Sequence, residues 1–466
     1  MAGSLSRTFA QWGANLKYDD LPPQVVDKVK ALLLHMLTSV AIGAATEDGK
    51  HAVEHVLHEE SRPDGATILV DGRRATRIGA TFANAEMMHA SSLIDSYRML
   101  THPGPVLIPI AMVNAELEHR TGKDVITALA AGYEFLFRLC DDFIPSTAAR
   151  GFRPGPIYGT MGGAMTAGKL MGLDEGGLLA TIGLATHLAG GLFSGGGEQG
   201  IHEPNAARQG MFAAVMARTG AFKGSDGSLD GDPGFYQAFT GSSTGKLSWS
   251  FKDNTFQVDP ATITEGLGTR YKVLDAMFRM YPTSGYNQPV IDLIVEMKQQ
   301  HKIETDDIEL VDVQMNHLET NYPTPEFSRM SAYQPEVGQK HWYAAHAAVN
   351  GGFPVVAGRT FGPTGADLRA DQKVIDFMHN HVRVTPIWGK EMFGPSVIIR
   401  MKDGRAFFGD YPYRRLAWDF DQLVTRLQDC VPGYPGGQAA FDRLVEAVRS
   451  TEQLSSLDAL HAALKP

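Results

Sequence analysis

The chain has 466 residues, with 42 basic and 52 acidic side chains, so its formal net charge is −10. Hydrophobic residues make up 43% of it and charged residues 20%, a globular composition that excludes wholesale disorder. An acidic chain is not attracted to nucleic acid or to anionic membranes, so we expect neither as a partner. At about 100–200 residues per domain, the length predicts two or three domains or one large one.

Cysteine usage and targeting signals indicate the compartment. Two cysteines, Cys140 and Cys430, are too few for a disulfide framework, and no Cys/His cluster suggests zinc. The N-terminus lacks the apolar run of a secretory signal peptide. The longest apolar stretch, Ala31–Ala45, is interrupted by polar residues and is shorter than the roughly 20 residues that cross a bilayer. We therefore expect a soluble, cytoplasmic protein.

The N-terminal half is predicted to be helical. Pro22 and Pro23 suit a first helical turn, and apolar residues then recur at helical spacing from Val25 to Val40. Gly122 and Gly172 stand where C-terminal helix caps are expected. Further helices are predicted at Ile78–His89, Val106–His119, Lys123–Cys140, Gly159–Met171, Gly176–Leu192 and Asn205–Thr219.

The pattern changes after a Gly/Ser/Asp-rich loop at Ser225–Gly245. Apolar and polar residues alternate within Ile308–Asn316, which predicts a half-buried strand, and Val382–Thr385 is a second candidate. Asp403-Gly404 is a hairpin signal between the candidate strands Val397–Met401 and Arg405–Phe408.

Helical spacing returns from Phe420 to Leu464. The predicted fold class is therefore mainly α with an α+β insert, a large all-helical domain plus a smaller α/β lid domain. The expected boundaries are 1–274 for the first part of the helical domain, 275–410 for the lid, and 411–466 for the return to the helical domain.

The densest polar cluster follows a predicted apolar helix. It contains Asp95, Ser96, Tyr97, Arg98 and His102, which together offer proton donors, proton acceptors and a cation. Pro-Gly after His102 disfavours a continuing helix, so the imidazole is expected on a loop, where catalytic residues are common. A solvated surface loop fits this composition equally well.

Two arginines and a glycine run are further candidates. Arg153 precedes a predicted helix, and Arg279 stands at the junction of the helical and α/β regions, where clefts often bind ligands. Guanidinium groups bind carboxylates bidentately, which matters here only if both arginines line one cleft. Gly195–Gly197 is either a backbone cradle for an anion or a plain turn.

Several segments, taken in order, carry a family resemblance. They are Leu21-Pro22-Pro23, His89 through Asp95 to Thr101-His102-Pro103-Gly104, Gly122–Glu134, Gly151-Phe152, Gly159–Asp174, His202 through Arg208 to Gly210, Tyr281-Pro282 and the Asp403-Gly404 hairpin. Over nearly its whole length the chain resembles the MmgE/PrpD family: 2-methylcitrate dehydratase, cis-aconitate decarboxylase and iminodisuccinate epimerase. The resemblance implies a helical domain with an α/β lid, a homodimer, and no metal or organic cofactor.

The resemblance also implies site residues, with departures from the family pattern. The acidic block Asp-Phe-Asp-Asp-Thr appears here as Ser-Leu-Ile-Asp-Ser, which keeps only Asp95 and places Ser96 where Thr is usual. The His before Pro-Gly is kept as His102. On this basis His102, Asp95 and His202 are the predicted catalytic residues.

The remaining departures replace groups that titrate near neutral pH. Gly-Phe-His ends here in Arg153, and the lysine three residues before His202 is replaced by Gln199. The lysine before Tyr/Phe-Pro becomes Arg279, and a later histidine becomes Gln288. Arginine keeps the positive charge but does not give up its proton, so carboxylate binding is preserved better than acid–base chemistry. The predicted substrate-binding residues are Arg153, Arg279, Gln199, Ser96, Arg98 and Gln288.

These observations predict an enzyme that acts on a small di- or tricarboxylate by abstracting a proton alpha to a carboxylate. A lyase of the dehydratase type, like 2-methylcitrate dehydratase, is the first expectation. An epimerase or isomerase of an iminodisuccinate-like dicarboxylate is the first alternative. A catalytically silent carboxylate-binding homologue is the second.

Overall fold

The computed structural model describes residues 4–194, 200–251, 257–321, 334–355 and 368–465. Within these residues the protein is mainly helical and carries one small mixed sheet and two short antiparallel strand pairs, which confirms the predicted fold class. The predicted boundaries at 274/275 and 410/411 stay a prediction.

The helices and strands are numbered in chain order. Helices α1–α18 are Leu5–Asn15, Pro23–Gly43, Glu47–Glu60, Arg77–Ala90, Gly104–Leu117, Gly122–Cys140, Ile144–Ala149, Pro154–Leu170, Glu175–Leu188, His202–Arg218, Phe235–Thr240, Gln288–His301, His317–Thr320, Lys340–Asn350, Gln372–His381, Phe420–Leu427, Gly437–Arg449 and Asp458–Ala463. Strands β1–β8 are Ser61–Thr67, Arg74–Ala75, Asp95–Ser96, Met277–Phe278, Ile308–Asn316, Val382–Ile387, Ser396–Met401 and Ala406–Asp410.

The helical core is built around helices that are buried on nearly every side. The helix Pro23–Gly43 begins at a proline in its first turn, as predicted, and Gly104–Leu117 and Pro154–Leu170 are almost entirely buried. Polar side chains cap several neighbours, because the first N–H groups of a helix have no partner within it. Thr76 accepts a hydrogen bond from the backbone of Gly79, and Asp174 accepts one from Gly177.

One predicted helix cap is wrong. Gly122 does not end a helix but starts α6, where Thr121 and Asp124 form a reciprocal capping box. The preceding helix ends at Leu117, and the left-handed residue after it is His119, with φ +52°. Gly172, in contrast, follows the helix Pro154–Leu170 with φ +72°, as its predicted cap position requires.

The sheet follows the strand predictions closely. Its order is β6-β5-β7-β8, with β5 and β6 parallel and the other pairs antiparallel. Strand β5 covers Ile308–Asn316, the segment that alternates in the sequence. Gly404 in the hairpin between β7 and β8 has φ +92°, a conformation that favours glycine.

The C-terminal tail returns to the N-terminal helices. The Lys28 ammonium donates to the Trp418 carbonyl oxygen (3.0 Å), and the Phe420 amide donates to Asp27 (3.0 Å). The tail is broken into three short helices around Pro432 and Gly436 rather than being continuously helical. No single helix in the described ranges combines the length and apolarity needed to span a bilayer.

Candidate active site

The site forms where the polar loop 91–104 meets the segment after residue 276. Strand β3 pairs antiparallel with β4, so that Asp95 is opposite Phe278 and Ser96 is opposite Met277. Three non-glycine residues of this loop, Ser92, Arg98 and Leu100, have positive φ values of 67°, 52° and 74°. Such conformations cost free energy and persist only where the surrounding structure imposes them.

This meeting point contains a narrow cavity of about 80 Å³. Ser96, His102, Arg153 and Arg279 line it together, although they come from four separate places in the sequence. Other wall residues are Arg98, Met99, Leu100, Gly285, Tyr286 and Phe393. Five of the eight predicted site residues within the described ranges thus line one cavity, Arg98 among them. The condition that both arginines share one cleft is met by this geometry.

Larger clefts of about 520–640 Å³ open elsewhere on the surface, but they lack this combination. Their charged groups are largely paired with one another. Arg426 bonds to Asp292 in one cleft (3.1 Å), and Arg7 bonds to Glu175 at another (3.1 Å). The small cavity, in contrast, is lined by a histidine together with the arginines Arg153 and Arg279.

His102 is held through one ring nitrogen. Its Nδ1 lies 3.2 Å from the Asp95 carbonyl oxygen and 2.9 Å from Ser96 Oγ. A carbonyl oxygen only accepts hydrogen bonds, so we assign the proton of the neutral ring to Nδ1, which leaves Nε2 as the basic nitrogen. Burial, and then the positive charges of Arg279 and Arg153, hold the pKa of His102 well below its usual value of 6.5.

Asp95 organises the loop rather than lining the cavity. Its buried carboxylate accepts hydrogen bonds from the Gly104 amide (2.7 Å) and from the Tyr133 hydroxyl (2.6 Å). Burial raises the pKa of Asp95 to about 6, although both hydrogen bonds oppose the rise. The backbone carbonyl oxygen of Asp95 also accepts a hydrogen bond from His102 Nδ1, so Asp95 positions the imidazole.

Arg279 is attached to the same loop. Its Nε and a terminal nitrogen donate to the Ser92 carbonyl oxygen (3.2 and 3.0 Å), and its backbone amide donates to Ile94 (3.1 Å). Gln288 is fully buried, and its amide group bonds to backbone on either side of Arg279. The structure therefore places Gln288 behind the cavity wall rather than in the cavity.

Arg153 reaches the cavity from the start of α8. Proline at 154 favours an extended conformation for the residue before it, and Arg153 has φ −78° and ψ 114°. Its amide donates to the Gly191 carbonyl oxygen (3.0 Å), and its guanidinium lies 5.5 Å from the centre of the Phe193 ring. The local backbone thus aims the side chain away from the helix.

Arg98 is at the cavity wall, but its charge is compensated. It forms an ion pair with Asp141 (3.1 Å), which also pairs with Lys272 and accepts from the Tyr97 hydroxyl. Tyr97 is fully buried and stacks on Phe137 at 4.0 Å between ring centres. Arg98 and Tyr97 are therefore both held by contacts within the protein.

Of the predicted site residues near position 200, the structure describes His202. His202 begins α10 and is half-buried, but it is not among the wall residues of the cavity. It does lie near Gly191, where an added Cβ would be 3.7 Å from the His202 Cδ2 atom. Gln199 and the Gly195–Gly197 run lie outside the described residues.

Sequence reasoning missed part of the wall and the layer behind it. Tyr286 and Phe393 line the cavity from the side of the α/β insert. Lys340, almost fully buried, lies 5.8 Å from the Tyr286 ring centre, and Glu319 accepts from the Phe393 amide (2.7 Å). Burial lowers the pKa of Lys340 and raises that of Glu319, each to about 8. Tyr and Phe carry no distinctive sequence pattern here, so only their place in the fold reveals them.

Over the ranges that the structure describes, no group of three or more His, Cys, Asp or Glu side chains is arranged to hold a metal ion.

Comparisons with known proteins identify the family of the chain. A model of the MmgE/PrpD N-terminal domain matches residues 7–248, just over half of the chain. A cis-aconitate decarboxylase-like protein of Aspergillus oryzae is 25% identical over 314 residues, which is 64% of this chain and 62% of that protein.

Two more relatives carry the name cis-aconitate decarboxylase. One, from Aspergillus terreus, is 24% identical over 301 residues, covering 62% of this chain and 59% of its own. Another, from Homo sapiens, is 28% identical over 247 residues and covers 50% of each chain. The matched region thus spans between half and three-fifths of the length of these curated relatives.

Proposed function

This chain belongs to the MmgE/PrpD family, and from that premise we propose that it is an enzyme acting on a small di- or tricarboxylate by proton transfer at a carbon alpha to a carboxylate. The observation that carries the proposal is the neutral imidazole of His102 between the guanidinium groups of Arg153 and Arg279, in one cavity. Each of these groups supplies a separate part of the chemistry.

The arginines bind the substrate carboxylates. A guanidinium fork matches the two oxygens of a carboxylate and keeps its charge at every relevant pH. The same charges stabilise the negative charge that develops on the substrate when a proton or carbon dioxide leaves. Arg98 contributes less, because Asp141 compensates its charge.

His102 moves the proton, and its basicity depends on the substrate. Burial and the charges of Arg279 and Arg153 disfavour the imidazolium. A bound polycarboxylate pairs with the arginines and cancels that field, so the pKa of His102 rises when substrate enters. Nε2 then carries a proton to or from the substrate, while Asp95 and Ser96 hold the Nδ1 side.

The reaction class we favour is a lyase, and cis-aconitate is the first substrate to test because three similar proteins carry names based on its decarboxylation. Loss of carbon dioxide from this acid shifts the double bond, and a carbon alpha to a carboxylate takes up a proton. Dehydration also begins at such a carbon, by proton loss. Epimerisation removes and returns a proton there, so one base and two carboxylate-binding cations are common to all three reactions. Dehydration needs in addition a proton donor for the departing hydroxide, and epimerisation needs one on the opposite face of the carbon.

A proton NMR experiment in D₂O separates these outcomes. Purified protein is incubated with cis-aconitate, 2-methylcitrate or iminodisuccinate in turn. We expect loss of substrate signals from one of the two tricarboxylates, with deuterium incorporated alpha to a carboxylate in the product of decarboxylation. Deuterium exchange without substrate loss indicates an epimerase instead. No change with any of the acids contradicts an enzyme of this class.

A catalytically silent carboxylate-binding protein is the second candidate. The observation that favours it is that Arg153, Arg279 and Gln288 stand where the family resemblance implies titratable residues, so that no lysine and no second histidine accompanies His102 among the described wall residues. A thermal-shift assay with the same acids tests it. Stabilisation by an acid that shows neither turnover nor deuterium exchange supports this candidate over the lyase.

A further inference from the structure

Gln288 makes an unusual pair of hydrogen bonds. It is the first residue of α12 and is fully buried. Its Oε1 accepts from the Met280 amide (2.7 Å), and its Nε2 donates to the Phe278 carbonyl oxygen (2.9 Å). The residue between these two backbone partners is Arg279, so one side chain holds the peptide groups on both sides of the cavity arginine.

The opposite side of the same segment is held by the polar loop. Phe278 pairs with Asp95 in the β3–β4 ladder, and the Arg279 amide donates to Ile94. The guanidinium itself is anchored on the Ser92 carbonyl oxygen. Arg279 is thus fixed between the His102 loop on one side and the start of α12 on the other.

The chemistry at position 288 explains why an amide is suited to this place. The segment 278–280 presents one acceptor and one donor, and a primary amide satisfies both without a charge. A carboxylate lacks the donor, and an aliphatic side chain lacks both groups. Gln288 is not among the wall residues of the cavity, so its amide would have to turn away from these two backbone groups to reach a substrate, and buried polar groups left without partners are costly.

We propose that Gln288 is a positioning residue that holds the Arg279 guanidinium in the cavity, and so sets the affinity for substrate carboxylates without touching them. This inference rests on the proposed function only in taking Arg279 as a carboxylate-binding group. It gives Gln288 a role different from the substrate contact expected from the sequence.

The test is a double-mutant cycle with cis-aconitate as the probe, measured by titration calorimetry on the full chain. The variants are Gln288→Met, Arg279→Ala and the double variant. We expect Gln288→Met to raise the Kd about tenfold in the wild-type background, as for loss of one well-placed charged contact. In the Arg279→Ala background the same change should leave the Kd unaltered. Equal effects in both backgrounds overturn the proposal.

Asn287→Leu is the matched control for a purely structural effect. Asn287 is the buried neighbour of Gln288, and its amide donates to Thr283 Oγ1 (2.8 Å) rather than to the groups that flank Arg279. We expect both single variants to lower the Tm, but only Gln288→Met to raise the Kd. A similar rise in Kd for Asn287→Leu contradicts a specific role for Gln288.

A second readout needs no substrate. In protein labelled with ¹⁵N-arginine, the Nε–Hε group of Arg279 donates to a fixed carbonyl and should give a resolved resonance, identified by its absence in Arg279→Ala. Gln288→Met should shift or broaden this resonance, and Asn287→Leu should not. If wild-type protein fails to bind cis-aconitate, this spectrum still decides the proposal: an unchanged resonance in Gln288→Met refutes it.

Discussion

His102 is the residue on which the proposed chemistry depends most. Its Nδ1 is bound to the Asp95 carbonyl oxygen and to Ser96, so the ring orientation is fixed before any ligand arrives. A fixed imidazole between two cations is an unfavourable place for a positive charge. We expect a substrate with several negative charges to offset the two cations and so to raise the pKa of His102.

Replacing His102 by alanine should remove turnover while keeping the fold. We expect kcat to fall by about a hundredfold to ten-thousandfold, the usual contribution of a general acid or base. Initial rates with the substrate identified by NMR measure this, and circular dichroism checks the fold. The control is His58→Ala, a side chain that is 83% exposed and far from the proposed chemistry. A fully active His102→Ala variant would remove this residue from the mechanism.

Ligand binding near neutral pH should be accompanied by proton uptake. Burial, Arg279 and Arg153 lower the pKa of His102, and a bound polycarboxylate would relieve the effect of the arginines. Titration calorimetry in buffers of different ionisation enthalpy measures the number of protons taken up. We expect uptake by the wild-type protein and less uptake by Arg153→Gln. Binding without any proton uptake argues against the electrostatic coupling.

Asp95 should make the free energy of unfolding depend on pH. Burial raises its pKa to about 6 from an ordinary 3.8, so the folded protein holds this proton more tightly than the unfolded chain. The resulting stabilisation is complete below about pH 4 and is lost as the pH rises through 6. Asp95→Asn has no such proton. Its destabilisation relative to wild type should therefore shrink between pH 4 and pH 7.

Urea unfolding of both proteins at several pH values measures this difference. Other ionisable groups are common to the two proteins and cancel in the comparison. A difference in unfolding free energy that stays constant with pH would mean that Asp95 is not protonated near pH 6 in the folded protein.

Close crossing of helices explains much of the glycine content, which is 50 residues in the whole chain. At Gly210 in α10, an added Cβ would lie 2.9 Å from the Ala164 amide nitrogen and 3.0 Å from backbone atoms of Gly163 and Thr160. These are backbone atoms of α8, which cannot move away as a side chain can. Glycine at this crossing therefore sets the distance between the helix that follows Arg153 and the helix that begins at His202.

Gly210→Ala should destabilise the protein by about 1–3 kcal/mol, the usual cost of overpacking a core. Gly176→Ala is the matched control, because Gly176 is an exposed helical glycine whose added Cβ would approach no atom closer than Asp174 Oδ1 at 3.5 Å. That change should be neutral or stabilising by about 0.4–1 kcal/mol. Chemical denaturation measures both, and equal effects would contradict the crossing argument.

Elements with strong local patterns were predictable, and those made by long-range contacts were not. Strand β5 was predicted with the bounds Ile308–Asn316, because alternation and burial agree there. The two-residue strands β3 and β4 have no pattern of their own, since each exists through pairing with the other. Gly122 was assigned to the wrong end of a helix, because the Thr121–Asp124 capping box is the stronger local signal.

At the scale of the whole molecule, the net charge of −10 is opposite in sign to the charge that the arginines bring to the cavity. Arginines 153 and 279 bring positive charge to one small site in an acidic protein. Other cations are paired with acidic side chains, as Arg98 and Lys272 are with Asp141. Overall charge thus describes the surface that the protein presents to macromolecules, and not the site that meets the substrate.

We expect the protein to form a homodimer, as the family resemblance implies. Apolar side chains such as Leu192 (60% exposed), Ile201 (52%) and Phe408 (65%) are at the surface of the single chain, and dimer interfaces commonly cover such residues. Light scattering coupled to size-exclusion chromatography should give the mass of two chains of 50.6 kDa each. A single-chain mass across the working concentration range contradicts the expectation.

The helical class, the strands of the small sheet, the family resemblance and most of the candidate site residues are predictable from the sequence. They follow from periodicity, turn residues and residue chemistry, which are local properties of the chain. The shared cavity of Ser96, His102, Arg153 and Arg279, and the place of Gln288 behind it, emerge only from the folded chain. The reason is physical: that arrangement depends on the pairing of β3 with β4 and on burial, which set the neighbours and the pKa values of residues far apart in the sequence.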